Sequence, residues 1–156
     1  MKTDVGVKDV FTAYGEAAYN AQVMEYDLVT IWMLDSISQG VAITRQDLVR
    51  CEREWGKKTF GQLTRPLRDS NLVPKEVGAL LDELRIARNH LMHGFFLDKR
   101  FDLQTASGRE NAVTELRRLN AVIQRGQAFL ADVLRAYLRD FGVDAADVVR
   151  QTLRED

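Results

Sequence analysis

Residues 107–141 read SGRENAVTELRRLNAVIQRGQAFLADVLRAYLRDF and carry a helical pattern over their whole length. Apolar or small residues recur at steps of three and four, the spacing of one face of an α-helix, at Leu116, Leu119, Ile123, Gly126, Leu130, Val133 and Tyr137. The pattern predicts a helix roughly 50 Å long at the usual rise per residue. Ser107 and Glu110 have the spacing of a capping box at its start, and Gly142 follows its last residue, Phe141. Such a stripe is typical of a helix that packs lengthwise against another long helix.

A second long amphipathic helix is predicted from Lys8 to Ser38. Its stripe has the same steps of three and four, at Tyr14, Ala17, Ala21, Met24, Leu28, Ile31 and Leu34. Acidic side chains, Glu25 among them, lie off this stripe, and Gly40 ends the helix or follows it closely. Each long helix therefore offers one apolar face to the other.

The remaining helices are predicted to be short. Thr44 can cap one of them, with Asp47 placed where an acid favours the helix N-terminus. Pro74 suits the first position of another, which runs to about His93. Three further features are expected: one broken helix around Phe60 to Asp69, a loop from Asp98 to Thr105, and a final short helix capped by Asp144. No strand alternation appears. The expected fold is all-α, a helical bundle of two long amphipathic helices plus shorter ones.

Composition sets the broad class of protein. The 156 residues are 46% hydrophobic and 29% charged, which suits one folded domain over residues 1–156. Cys51 is the only cysteine and the two histidines lack a supporting carboxylate pattern, so neither a disulfide nor a metal or other cofactor is expected. No segment resembles a signal peptide or a membrane span, which predicts a cytoplasmic protein. The net charge of -1 means that a nucleic-acid site would be a local patch.

One segment stands out chemically, LLDELRIARNHLMHGFF at residues 80–96. At 100° per residue, Arg88 falls inside the apolar stripe of this helix and not opposite it. A guanidinium there is costly unless it is paired or meets an anion at an interface. Arg88 therefore either pairs with an acid of the first helix in a structural role or belongs to a functional site.

Asn89 and His93 share a flank of the same helix, one turn apart. On a straight α-helix, Arg88 and His93 would point roughly 140° apart and could not converge on one phosphate. Either the helix loosens before Gly94, or the pair is completed across a dimer. The spacing alone does not choose the register, because Arg85 and His90 have the same separation. His93 also has a structural interpretation, as a histidine that favours the helix C-terminal dipole.

The order Arg88, Asn89 and His93, followed by GFF, resembles the Arg-x4-His signature of the HEPN family of helical ribonucleases and RNA-associated modules. The upstream segments KKTFGQL and LLDELRIARN are similar to family segments as well, as is the long helix after the motif. Sequence likeness covers about residues 57–96, and the likeness in helix order covers residues 8–141.

The resemblance implies a homodimer in which two signature helices meet and form a composite cleft. It implies metal-independent cleavage of RNA, with His93 moving a proton at the 2′-hydroxyl while Arg88 and Asn89 organise the phosphate. A toxin of a toxin–antitoxin or phage-defence pair, held in check by an antitoxin protein, is the expected setting. The alternative is a non-catalytic HEPN-like homodimer that binds RNA, a nucleotide or a protein. If the signature is coincidental, the third interpretation is a purely structural helical dimer.

Phe95 and Phe96, directly after the signature, are predicted to be an exposed apolar pair at the dimer interface. The arginines of the long C-terminal helix lie mostly off its stripe, and acids are interspersed through the chain. These arginines are therefore interpreted as a solvated face and not as an RNA track.

Overall fold

In the computed structural model, residues 5–40, 44–69 and 74–142 are described, apart from the side chains of Asp69 and Lys75. Every regular element in these ranges is helical, which confirms the all-α class. The described ranges contain five α-helices: α1 Val7–Ser38, α2 Arg45–Gly56, α3 Phe60–Asp69, α4 Lys75–Asn89 and α5 Ala106–Asp140. A π-helical turn, His90–Gly94, and two 3₁₀ turns, Phe95–Leu97 and Lys99–Phe101, connect α4 to α5. The predicted helix capped by Asp144 lies outside the described residues.

The ends of the helices follow local chemistry. Gly40 and Gly142 have φ of 70° and 67°, so each adopts the left-handed conformation that stops a helix and that glycine adopts without strain. The Thr44 hydroxyl accepts a hydrogen bond from the Asp47 backbone N–H at 3.2 Å, and the Asp47 carboxylate accepts one from the Thr44 N–H at 3.0 Å. This reciprocal pair confirms the predicted start of α2.

Two predicted helix starts and one predicted helix break were wrong. α5 is capped by Thr105, whose hydroxyl accepts from the Gly108 N–H at 3.0 Å, so Ser107 is already inside the helix. The first turn of α5 needs glycine at position 108, because a Cβ there would lie 2.0 Å from the Asp102 carbonyl oxygen. Pro74 precedes α4 as its N-cap and is not its first residue. α3 is continuous, since it accommodates Pro66 at the loss of one backbone donor.

The core lies between α1 and α5, which pack along each other as their stripes predict. Both stripes are buried over most of their length, with Ala17, Ala21, Met24, Leu28 and Ile31 from α1 facing Leu116, Leu119, Ile123 and Leu130 from α5. α4 closes one side of this pair with Leu81, Leu84 and Ala87. Gly126 lets the helices approach, because a Cβ on it would lie 2.6 Å from a Leu84 methyl carbon and 3.0 Å from the Met24 sulfur.

A few buried polar contacts fix how the helices sit against one another. The Asn20 side-chain amide donates to the Asn120 side-chain oxygen Oδ1 at 2.9 Å, which links α1 to α5. The Trp32 indole N–H donates to the Leu63 backbone carbonyl at 2.9 Å and its ring stacks on Trp55, so one α1 residue anchors both α2 and α3. Sliding α1 along its axis would leave the Asn20 and Trp32 donors without partners, so these bonds fix the position of α1 relative to its neighbours. They thereby fix the level along α4 that Glu25 faces.

Candidate functional site

The helical hydrogen-bonding pattern changes within the Arg88–His93 signature. After Asn89 the chain leaves the α-helix and makes a π-helical turn from His90 to Gly94. A π turn bonds residue i to residue i+5, so residues five apart come close to one face. Arg88 and His93 have this separation. The helix therefore loosens before Gly94, which was one of the two arrangements that the sequence left open.

The loosened turn brings the three predicted site residues together in a single chain. Arg88 Nη1 lies 3.1 Å from His93 Nε2 and donates to the Asn89 side-chain oxygen at 3.3 Å. Asn89 and His93 are exposed, whereas only 19% of the Arg88 side chain is accessible. The site is thus a mostly buried guanidinium with an exposed amide and an exposed imidazole at its outer edge.

Glu25 of α1 completes this group and was not among the predicted site residues. Its Oε1 accepts from Arg88 Nε at 2.5 Å, and its side chain is 29% exposed. That an acid of the first helix pairs with Arg88 was an expected alternative, and that pairing is confirmed. In the sequence, Glu25 stands out only as an acid off the apolar stripe of α1, next to buried Met24. Several other acids of α1 also lie off that stripe.

The contact between Arg88 and His93 restricts the protonation of the imidazole. Arginine nitrogens only donate hydrogen bonds, so His93 Nε2 accepts with its lone pair and a neutral ring carries its proton on Nδ1. Protonating Nε2 would break this contact and set a second cation against the guanidinium. The two hydrogens on Arg88 Nη2 have no partner among the described residues, since the bonds of Arg88 use Nε and Nη1. The site therefore offers one basic nitrogen beside two free cationic donors.

The alternative register, Arg85 with His90, does not assemble. Arg85 lies 3.7 Å from the Asp82 carboxylate, and His90 is on the opposite side of α4, 4.0 Å from a Glu115 oxygen. His90 Nε2 is buried without a hydrogen-bond partner in the described part of the chain, and its ring meets Phe95 edge-on at 6.1 Å. His90 is therefore a packing residue between α4 and α5.

The two phenylalanines after the signature point in different directions, which corrects the prediction of an exposed pair. Phe95 is 1% exposed and stacks on Phe101 with ring centroids 4.7 Å apart. Phe96 is 45% exposed and contacts Tyr14 and Phe11 of α1. The change from a π turn to a 3₁₀ turn at this point rotates Phe95 into the core. A wheel drawn at a constant angle cannot show that rotation.

One face of α1 beside the site is exposed and carries no charge. Its residues follow one another at steps of three and four, at Phe11, Gly15, Tyr19, Gln22 and Tyr26. We call this set the uncharged α1 face. Phe96 extends it at one end through its contact with Phe11, and Glu25 lies next to it at the other. On the signature helix, exposed Ile86 lies away from this face, in the groove between α4 and α5. Aromatic side chains of α1 and Phe96 therefore lie on one side of the polar site.

Comparison with known proteins adds no assignment, because the chain matches no family model, no curated protein and no solved structure at a significant level. Across residues 5–40, 44–69 and 74–142, His, Cys, Asp and Glu side chains form no group of three or more that could hold a metal ion. None of the described helices is both long enough and apolar enough to cross a bilayer.

Proposed function

We propose that this chain is a HEPN-type, metal-independent endoribonuclease that works as a homodimer. The observation that carries the proposal is the 3.1 Å contact between Arg88 Nη1 and His93 Nε2, with Asn89 bonded to the same guanidinium nitrogen. An imidazole beside guanidinium donors suits cleavage by a 2′-hydroxyl, because imidazole can accept and return a proton while guanidinium binds phosphate oxygens. Arg88, Asn89 and His93 are the proposed catalytic residues, as the resemblance to the family's signature implies.

In the proposed reaction, a ribose 2′-hydroxyl replaces Arg88 Nη1 as the hydrogen-bond donor to His93 Nε2. Nε2 then accepts the hydroxyl proton and the 2′-oxygen attacks the adjacent phosphorus. The new bond joins O2′ to phosphorus while the bond from phosphorus to O5′ breaks. The leaving 5′-oxygen takes a proton from the imidazolium or from water. Arg88 binds the phosphate through its Nη2 hydrogens and stabilises the added negative charge of the transition state. The products are a 2′,3′-cyclic phosphate and a 5′-hydroxyl end.

The proposed dimer rests on the surface around the site. The uncharged α1 face and Phe96 together form an exposed, uncharged surface beside the site, and such patches mark interaction sites. A second copy would bury the same residues of both chains, as a two-fold interface requires. Pairing with Glu25 lowers the cost of bringing two Arg88 side chains near one another. Two sites would then line one cleft.

Incubation of the purified protein with structured and unstructured RNA tests the proposal. Cleavage should persist in EDTA, leave 2′,3′-cyclic phosphate or derived 3′-phosphate ends, and fail on DNA, which lacks the 2′-hydroxyl. Arg88→Ala and His93→Ala should each abolish most of the activity. Arg85→Ala is the matched control, because it removes an arginine one turn away that pairs with Asp82. RNA left intact by the wild-type protein would exclude catalysis.

A non-catalytic homodimer that binds RNA, a nucleotide or a protein is the second candidate. The overall net charge of -1 and the neutralisation of Arg88 by Glu25 favour it, because both weaken attraction to a polyanion. RNA binding without cleavage in the same assay would support this candidate. For either function we propose a cytoplasmic setting, and for the nuclease a toxin paired with an antitoxin protein. A neighbouring gene for a small antitoxin would support that pairing.

A further inference from the structure

We infer that Glu25 is a positioning residue of the Arg88–His93 site, an inference that rests on the proposed nuclease function. Glu25 Oε1 holds Arg88 by Nε at 2.5 Å, which fixes the guanidinium plane from the α1 side. A planar group held at one edge presents its remaining donors in fixed directions. Nη1 then faces Asn89 and His93, while the Nη2 hydrogens stay available for phosphate oxygens.

The same ion pair acts on His93 through Arg88. The donor hydrogen from Nη1 holds the imidazole in the tautomer whose lone pair is on Nε2, the atom that accepts the substrate proton once the 2′-hydroxyl replaces Nη1 there. If Glu25 is removed, Nε loses its partner and the guanidinium can rotate about its long side chain. His93 Nε2 would then lose its donor, and the ring would sample both neutral tautomers. Glu25 therefore acts on the base without touching the substrate.

The location of the pair supports a role beyond holding helices together. Both side chains are mostly shielded from water, so the charge of Glu25 is weakly screened at the guanidinium. The chain also contains a comparable pair, Glu83 with Arg125, which joins α4 to α5. That pair is exposed, and within the described part of the chain it forms no hydrogen bond with Arg88, Asn89 or His93. It therefore provides a matched control for helix-to-helix attachment alone.

Nitrogen NMR of the histidine rings and of the arginine Nε–H groups tests the inference without any activity measurement. In the wild-type protein, His93 should give the pattern of a single tautomer with the proton on Nδ1, and Arg88 should give a protected Nε–H signal. Glu25→Ala should lose both signatures. Glu25→Gln, which keeps an acceptor oxygen, is the milder variant if the alanine variant does not fold. Glu83→Gln should change neither.

Kinetics on RNA then measure the consequence. Glu25→Ala should lower kcat by a factor on the order of ten to a hundred, the scale of losing orientation at a reacting group, with a smaller change in KM. Glu25→Asp should restore part of the rate, since the charge returns with a shorter reach. The inference is overturned if Glu25→Ala keeps the His93 tautomer and kcat, or if Glu83→Gln alters them equally. Wild-type protein that shows the NMR signatures but leaves RNA intact would contradict the nuclease proposal without contradicting the positioning role of Glu25.

Discussion

At the scale of single residues, the two histidines of the chain lie in different environments. His93 is exposed and accepts a hydrogen bond from Arg88, whereas His90 is packed against Phe95 with a buried and unpaired Nε2 among the described atoms. Only His93 therefore combines access to a substrate with a basic nitrogen beside a cation. A difference between two side chains three positions apart gives a sharp mutational test.

His93→Ala should lower the rate of RNA cleavage by a factor on the order of a hundred or more, the usual effect of losing a general acid or base. His90→Ala should leave the rate near that of the wild type but reduce the free energy of unfolding by roughly 1 kcal/mol, because a packed ring is lost. Initial rates and denaturant unfolding measure the two effects. Activity lost with His90→Ala and kept with His93→Ala would show that Arg85 and His90 form the site.

Asp98, at the turn between the two 3₁₀ segments, gives a second test at this scale. Hydrogen bonds from the Arg100 side chain and then from its backbone N–H lower the pKa of Asp98 from 3.8 to about 2. A carboxyl with a lowered pKa stabilises the fold above its unfolded pKa, and that contribution is lost as the pH falls through the folded value. Carbon NMR should therefore find Asp98 titrating near pH 2. Arg100→Ala should move the midpoint part of the way back, and an unchanged midpoint would contradict the assignment.

At the scale of secondary structure, Gly126 is the residue that determines how closely α5 approaches its neighbours. Gly126→Ala would place a Cβ 2.6 Å from a buried Leu84 methyl carbon, so it should reduce the free energy of unfolding by about 1–3 kcal/mol, the cost of overpacking. Gly78→Ala is the control, because its Cβ would meet only an Arg68 methylene carbon at 3.8 Å. That variant should gain roughly 0.5–1 kcal/mol from helix propensity. Equal effects of the two substitutions, by denaturant unfolding, would count against close packing at Gly126.

Sequence periodicity predicted the elements better than it predicted the site. α1 and α5 could be located from their stripes, because burying one face of a helix demands steps of three and four. The paired state of Arg88 could be expected from the cost of burying a charge. Loosening of the helix before Gly94 was one of two arrangements left open, and the π turn from His90 to Gly94 could not be chosen from the sequence, because a helical wheel assumes a constant rotation per residue. Which acid of α1 pairs with Arg88 depends on how α1 and α4 are aligned, and no local sequence pattern determines that alignment.

At the scale of the whole molecule, the uncharged α1 face should pair two copies of the chain. Light scattering at micromolar concentration should give twice the 17.8 kDa mass of one chain. Tyr26→Glu should return the mass to that of a monomer, because a charge would be buried without a partner at the interface. Val49→Glu places the same charge on an exposed apolar position of α2 and should leave the dimer intact. A wild-type mass of one chain would exclude the dimer.

The pairing of α1 with α5 also has a consequence for synthesis. Asn20 bonds to a residue 100 positions later, so the apolar stripe of α1 stays uncovered until the ribosome has released most of α5. Contacts this distant in sequence close a large loop and slow the folding reaction. A nascent chain ending at residue 105 should therefore be a substrate for chaperones and show no cooperative unfolding. If the finished protein cuts RNA, late folding would protect the ribosome and message that are producing it.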